Sequence, residues 1–244
     1  MAVDTQNWYA SWFDTPYYHI LYKDRGYDEA EDFMKNLTGF LELDTTAKIL
    51  DLACGKGRHS IYLNSLGYDV TGVDLSENSI NYAKQFENDH LQFKVHDMCK
   101  PTLKNYDAVF NLFTSFGYFE DDNDNLRTIK AIKKDLTENG VAVIDFMNVQ
   151  KVIKNLVASE VKTLKGIDFH LKRSVIDNHI IKEISFEDNG VLFSFQEKVK
   201  AITLSDFRTY FKKAGLTLKH TFGDYNLNEF DAENSNRLIL VFGC

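Results

Sequence analysis

Proline is nearly absent from this sequence, with Pro16 and Pro101 the two among 244 residues, so no proline-rich linker divides the chain. Cysteine is equally scarce. Cys54, Cys99 and Cys244 form an odd set without C-x-x-C spacing, which argues against a disulfide framework and a zinc site and leaves reduced thiols as the expectation. No stretch reaches the roughly 18 consecutive apolar residues of a membrane-spanning helix. The opening MAVDTQNWYASWFD lacks the basic start and apolar run of a secretory leader, so a cytoplasmic protein without a membrane partner is expected. Positive charge is in deficit as well: 28 Lys and Arg stand against 36 Asp and Glu, a net charge of −8. Non-specific nucleic-acid binding draws on clustered Lys and Arg, so no nucleic-acid partner is expected.

What is present is a chain with 44% hydrophobic residues, enough to bury a full core in one large domain or one domain with an insert. From Lys48 short apolar runs alternate with amphipathic ones: AKILDLA, RHSIYLNSLG, YDVTGVDL, SENSINYAKQFEN, HLQFKVHD, YDAVFNLF, NDNLRTIKAIKKDLTENG and VAVIDFM. Continuous apolar strands separated by helices of about three turns are what a parallel sheet covered on both faces requires. The reading is doubly wound α/β. Leu66-Gly67 and Asn139-Gly140 sit where helices are expected to turn into strands, and Ser76 is placed as a helix N-cap.

Between Val161 and Lys200 the period changes to strict alternation, with turn signals at Lys165-Gly166, Asp177-Asn178 and Asp188-Asn189-Gly190. That pattern predicts antiparallel hairpins with one buried face. TLSDFRTYFKK returns to helical spacing, and LTLKHTFG and RLILVFG close the chain as strands. The chain therefore divides into a helical segment and α/β core over residues 1–149, an inserted antiparallel lid over 150–200, and completion of the core over 201–244. An exposed strand edge in the insert offers pairing with a second subunit, hence a homodimer.

The stretch DLACGKGRH, Asp51 to His59, follows a predicted strand and opens a predicted helix, the position where backbone N–H groups and a helix N-terminus bind a nucleotide. Asp74, ending the second strand, lies where an acid accepts hydrogen bonds from both ribose hydroxyls; a cap on the helix start at Ser76 to Ser79 is the competing reading. Three features separate this loop from a dinucleotide site. Asp51 precedes the glycines and Ser60 occupies the place of a packing glycine; the third strand ends in His96-Asp97-Met98; and the last two strands form a hairpin-like pair.

DLACGKGRH, VTGVDLS, HDM and YDAVFNLFTSFGYF resemble the successive motifs of class I S-adenosylmethionine-dependent methyltransferases, and the resemblance runs through nearly the whole chain. It implies a Rossmann-like seven-stranded, mostly parallel sheet with a reversed last strand, plus the inserted antiparallel β-sheet. It also implies S-adenosylmethionine as cofactor and S-adenosylhomocysteine as product. On this resemblance Ala53, Gly55 and Gly57 pack against the methionine moiety, Asp74 and Leu75 serve the ribose, and Asp97 and Met98 frame the adenine. Asp51, Cys54, His59, Ser76, Asn111, Leu112 and Phe113 complete the cofactor site, and Arg58 either meets the methionine carboxylate or is a solvated charge at the helix start. Methyl transfer needs little acid–base chemistry, because alignment of donor and acceptor supplies most of the acceleration.

PYYHILYKDRGYDEA, Pro16 to Ala30, resembles the entry helix of small-molecule N-methyltransferases, the sugar-amine and glycine N-methyltransferase groups, in which a tyrosine-bearing segment folds over the cofactor. That implies Tyr22 near the transferred methyl and Tyr17 or Tyr18 closing the pocket; packing of these aromatics onto the core is the competing reading. Some sugar N-methyltransferases carry a histidine where Tyr118 falls; a tyrosine, with a reference pKa of about 10, serves there as a hydrogen-bond partner rather than a base. His19, His59 and His96 lack the i, i+4 spacing of paired ligands, so no metal is expected. Glu120 to Asn125 reads as a solvated helix start. The acceptor is a small molecule, methylated on nitrogen or oxygen. A non-catalytic S-adenosylmethionine-binding protein and, more distantly, a NAD-dependent dehydrogenase are the alternatives.

Overall fold

The computed structural model of the protein describes residues 12–22, 27–119 and 121–244. Among the described residues a short helix α1 (Pro16–Leu21) and a longer one, α2 (Tyr27–Phe40), precede the alternating core. That core comprises β1 (Lys48–Leu52), α3 (Arg58–Ser65), β2 (Asp69–Asp74), α4 (Glu77–Ala83), β3 (Leu91–Val95), β4 (Tyr106–Asn111), α5 (Asp122–Asp135) and β5 (Leu136–Met147). After α6 (Val149–Lys154) come four hairpin-connected strands, β6 (Ser159–Leu164), β7 (Ile167–Ile176), β8 (His179–Asp188) and β9 (Val191–Lys200). The chain ends with α7 (Leu204–Ala214), β10 (Thr217–Phe222) and β11 (Arg237–Gly243).

A seven-stranded sheet has the order β10-β11-β5-β4-β1-β2-β3, and β6 to β9 form a separate four-stranded antiparallel sheet in sequential order. Strands β1 to β5 are mutually parallel, whereas β11 is antiparallel to both β5 and β10. Apolar strands force helices onto both faces. On one face Phe33, Met34, Leu37, Leu63 and Ile80 pack against Ile49, Val70 and Phe93; on the other, Ile129, Ile132, Phe207 and Phe211 pack against Val109, Ile144 and Phe242. A third cluster joins Trp12 and Leu21 to the inner face of the inserted sheet through Phe169, Leu171, Ile184 and Phe186. Among the described residues no helix is long and apolar enough to cross a membrane.

Local chemistry explains most boundaries. Thr203 caps α7 through a capping box with Asp206, and Gly215, at φ 69°, closes it. Both residues of the β7–β8 turn, Asp177 and Asn178, have positive φ, as a two-residue hairpin with right-handed twist requires. One expectation fails: α5 ends at Asp135 rather than at Asn139-Gly140, and β5 already begins at Leu136. Asp135, buried, accepts hydrogen bonds from the Thr102 and Leu103 amides, so a tertiary anchor stops the helix early. The residues then leave register with β4, where Tyr106 pairs with Leu136 but Ala108 pairs with Val141. Of the acidic stretch, Glu120 lies outside the described residues, and Asp121, Asp122 and Asn123 are exposed, as a solvated helix start requires. Asp121 caps α5 by accepting the Asn123 amide, and Asp122 binds the Tyr210 hydroxyl and Lys200, tying α5 to α7 and β9.

Candidate active site

The carboxyl ends of the parallel strands open onto a cavity of about 580 Å³, beside the β1–β4 pair where strand order reverses and where doubly wound sheets bind ligands. Residues of the loops after β1, β2, β3 and β4 and of α1 line it. The loop after β1 turns through three left-handed residues, Ala53 (φ 64°), Gly55 (φ 56°) and Gly57 (φ 81°). A Cβ on Gly57 would lie 2.6 Å from the Phe93 ring, whereas one on Gly55 would meet nothing within 4 Å. Gly57 is thus demanded by packing and Gly55 by backbone conformation.

Asp74 organises this loop. Its Oδ2 accepts the Gly55 amide at 2.8 Å and its Oδ1 accepts the Ser76 amide at 2.8 Å. Burial raises the Asp74 carboxyl above its ordinary range, and the two amides oppose that shift. Each oxygen keeps a lone pair for a further donor, which suits a vicinal diol. Ser76 also caps α4, accepting the Ser79 amide at 3.0 Å, and its hydroxyl donates to Asp14 of the N-terminal segment.

Asp51 lies deeper, 1% exposed, and accepts the Ser60 hydroxyl at 2.6 Å. Burial pushes its carboxyl up to about 6, against the lowering effect of Ser60. Ser60 fits where a dinucleotide loop has a glycine because the small residue has moved to the strand. A Cβ on Gly72 of β2 would come within 2.7 Å of Ser60 Oγ and 2.6 Å of Phe93.

His59 stacks on Phe113, ring centroids 4.7 Å apart, and its Nε2 faces the Arg58 guanidinium at 3.1 Å. Burial and that guanidinium push the imidazole down to about 3, so it is neutral at physiological pH. Arg58 lies over Phe113, 5.0 Å from the ring centroid. Burial tends to raise Asp97, but the Cys99 amide and Lys100 outweigh it and hold the carboxyl below its ordinary range.

Residues 12–22 of the N-terminal segment border the cavity. Phe13, Tyr18, His19 and Tyr22 line it, and the segment is fastened to the inserted sheet by Trp12 Nε1 and the Tyr22 hydroxyl, which both donate to Glu197 Oε1. Lys182 Nζ in turn donates to the Tyr22 hydroxyl at 2.6 Å. His19 is held below its ordinary pKa by partial burial and by Lys56.

The sequence-predicted residues therefore divide. Asp51, Ala53, Cys54, Gly55, Arg58, His59, Asp74, Leu75, Ser76, Asp97, Met98, Leu112, Phe113, Tyr22 and Tyr118 all meet at the cavity. Tyr17 does not line it: its ring packs on Phe186 and Phe193 and its hydroxyl donates to Asp188 of the insert, because α1 turns that face toward the inserted sheet. Tyr18 takes the lining place instead. Asn111 is fully buried behind the wall, donating to the Leu52 carbonyl at 2.9 Å. Gly57 faces Phe93 rather than the cavity. The three histidines His19, His59 and His96, distant in sequence, line the same space, yet among the described residues no His, Cys, Asp and Glu group could hold a metal ion. Phe13, Lys56 and Ser115 are cavity residues that sequence reasoning missed; Phe13 carried a signal, since it stands in an aromatic run before Pro16.

A family model described as a methyltransferase domain matches residues 43–215. The YqeM protein of Bacillus subtilis, named for a methyltransferase, is 36% identical over 107 residues, which make up 42% of this chain and 43% of that protein. The match thus spans less than half of that relative's length. A glycine/sarcosine N-methyltransferase of Aphanothece halophytica is 29% identical over 137 residues, 53% of this chain and 49% of that protein. The crystal structure of an S-adenosylmethionine-dependent methyltransferase from Clostridium acetobutylicum superposes with a TM-score of 0.79 at 20% identity, covering 93% of this chain and 95% of that one. That likeness is one of fold.

Proposed function

Because this chain belongs to the S-adenosylmethionine-dependent methyltransferases, as the methyltransferase-domain match over residues 43–215 shows, we propose that its cavity directs a methyl group onto the nitrogen of a small-molecule acceptor. The observation that carries the site assignment is Asp74, whose two oxygens each hold one loop amide and keep lone pairs turned to a cavity large enough for a nucleoside. The cofactor, when bound, supplies a methyl group already activated on a sulfonium. What remains for the protein is orientation and exclusion of water.

In this reading Asp74 takes the ribose hydroxyls with Leu75 beside it, and Asp97 and Met98 frame the adenine. Asp51 and Arg58 offer opposite charges to the amino and carboxylate ends of the methionine moiety. Tyr22 and Tyr118 shape the acceptor side. Their phenol oxygens are engaged, Tyr22 with Glu197 and Lys182 and Tyr118 with the Thr114 carbonyl, so they act as walls and not as bases. With the donor held by Asp51, Arg58 and Asp74, an amine arriving with its lone pair free would take the methyl group, the electron pair of the C–S bond would stay on sulfur, and the resulting ammonium would give its proton to water.

The glycine/sarcosine N-methyltransferase match favours nitrogen over oxygen. A panel of small amines, amino sugars, hydroxy compounds and thiols, assayed for S-adenosylhomocysteine release, tests this. Turnover confined to amines is expected. Turnover on hydroxyl acceptors alone overturns the nitrogen assignment, and silence across the panel with intact S-adenosylhomocysteine binding favours a non-catalytic binder.

A further inference from the structure

Asp145 is the one acid in the apolar run VAVIDFM, and it is fully buried near the carboxyl end of β5. Its carboxylate is shared by three distant parts of the chain. Arg237, first residue of β11, donates through Nε to Oδ1 at 2.7 Å; the Phe113 amide donates to Oδ2 at 2.9 Å; and the Tyr225 hydroxyl donates to Oδ2 at 3.2 Å. The Asp145 carbonyl accepts the Thr114 amide at 2.9 Å, and the Arg237 guanidinium also donates to Thr114 Oγ1 at 2.9 Å.

The two residues gripped in this way are unusual. Phe113 (φ 58°) and Thr114 (φ 62°) are consecutive non-glycine residues in the left-handed region. Such a backbone is unfavourable for any side chain and more so for a β-branched threonine, and it persists where the surroundings over-determine it. The surroundings here are the Asp145–Arg237 pair and Tyr225. What they hold is part of the cavity wall, since Leu112, Phe113, Ser115 and Tyr118 line it and Tyr118 is in turn bonded to the Thr114 carbonyl.

The consequence reaches the glycine loop through a row of contacting rings. Tyr225 lies between Phe33 at 4.5 Å and Phe113 at 5.3 Å, and Phe113 continues to His59 at 4.7 Å. Arg58 rests on Phe113. A displaced Phe113 would remove the ring on which His59 and the Arg58 guanidinium rest.

We propose that Arg237, with Asp145 and Tyr225, is a positioning residue for the cofactor: the buried pair holds Phe113 and Thr114 in their left-handed conformation and, through the Phe113 ring, sets Arg58 and His59 at the cavity. This rests on the reading of that cavity as the cofactor site. Neither Arg237 nor Asp145 lines the cavity, so their effect is transmitted. Burial disfavours the Arg237 charge, but Asp145 outweighs it and raises the guanidinium above its ordinary range, so Arg237 stays charged.

Calorimetric titration with S-adenosylhomocysteine and amide hydrogen exchange on the same full-length samples test this. Arg237→Gln is expected to weaken S-adenosylhomocysteine at least tenfold and to accelerate exchange of the Phe113 and Thr114 amides at least tenfold, with amides of β1 and β4 changed less than twofold. Adding Thr114→Gly, which removes the left-handed penalty, is expected to recover at least threefold in affinity. Tyr225→Phe, which keeps the ring column and removes one donor, gives the same pattern more mildly, about threefold, and decides the matter if Arg237→Gln does not fold. Unchanged loop amides overturn the proposal, as do accelerated loop amides with unchanged affinity, or protection lost evenly across the sheet. If the unaltered protein itself fails to bind S-adenosylhomocysteine, the cofactor assignment of the cavity fails, a result distinct from all of these.

Discussion

Replacing Asp74 with alanine removes two sets of contacts at once. The carboxylate holds the Gly55 and Ser76 amides, each at 2.8 Å, and it is the acceptor offered to the ribose diol. A hydrogen bond to a charged group contributes roughly 1.5–3 kcal/mol, so two ribose hydroxyls set a ceiling of about 3–6 kcal/mol. Water entering the space left by the side chain restores part of that, which places the expected loss near the lower end, about 3 kcal/mol. At about 1.4 kcal/mol per decade this is roughly a hundredfold rise in the Kd for S-adenosylhomocysteine. Asp74→Asn separates the two effects. Its one carbonyl oxygen can satisfy one loop amide while its NH2 faces the other, so an intermediate loss is expected together with a less ordered Gly55. Isothermal titration calorimetry reads the affinity, and circular dichroism confirms that the variants fold. An Asp74→Ala protein that folds and binds S-adenosylhomocysteine within threefold of the unaltered chain would refute the ribose assignment.

Three further outcomes are expected. Asp51 goes from 3.8 to about 6 on folding, so between those values the native state holds more protons than the unfolded chain. Its contribution to stability is present below pH 3.8 and is lost as pH rises through about 6, on the order of 3 kcal/mol. Asp51→Asn should flatten that segment of the stability–pH curve measured by urea unfolding, and an unchanged curve contradicts the burial argument. A cationic ligand group beside Asp51 favours the carboxylate, so affinity for S-adenosylmethionine should tighten as pH rises from 5 to 7 and the slope should vanish in Asp51→Asn. Gly72→Ala would place a Cβ 2.7 Å from Ser60 Oγ and 2.6 Å from Phe93, and overpacking of this kind costs about 1–3 kcal/mol. The melting temperature should drop by roughly 2–12 °C, and Ser60→Ala in the same chain should recover part of it; no drop would mean that Ser60 and Gly72 are not in contact.

Much of the architecture is legible in local chemistry. The loop after β1 must turn left-handed, and its glycines announce that; the hairpins of the insert are marked by Lys165-Gly166, Asp177-Asn178 and Asn189-Gly190, all of which have positive φ. Ser76 and Thr203 cap helices because their hydroxyls reach amides three residues ahead. What local patterns leave open is decided by long-range contacts. The end of α5 depends on Thr102 and Leu103 reaching Asp135 from 33 and 32 residues away. The face of Tyr17 depends on Asp188, 171 residues distant. Arg237 and Asp145 meet across 92 residues, and the trace each leaves in the sequence is a charge beside an apolar strand run. A buried acid in VAVIDFM implies a partner without naming it.

Calorimetric titration of the unaltered protein with S-adenosylhomocysteine and, separately, with NAD tests the cofactor assignment most directly. Saturable one-to-one binding of S-adenosylhomocysteine and no heat from NAD is the predicted result. Saturable binding of NAD with none of S-adenosylhomocysteine would contradict the assignment of Asp51, Asp74 and the glycine loop to the methyl donor.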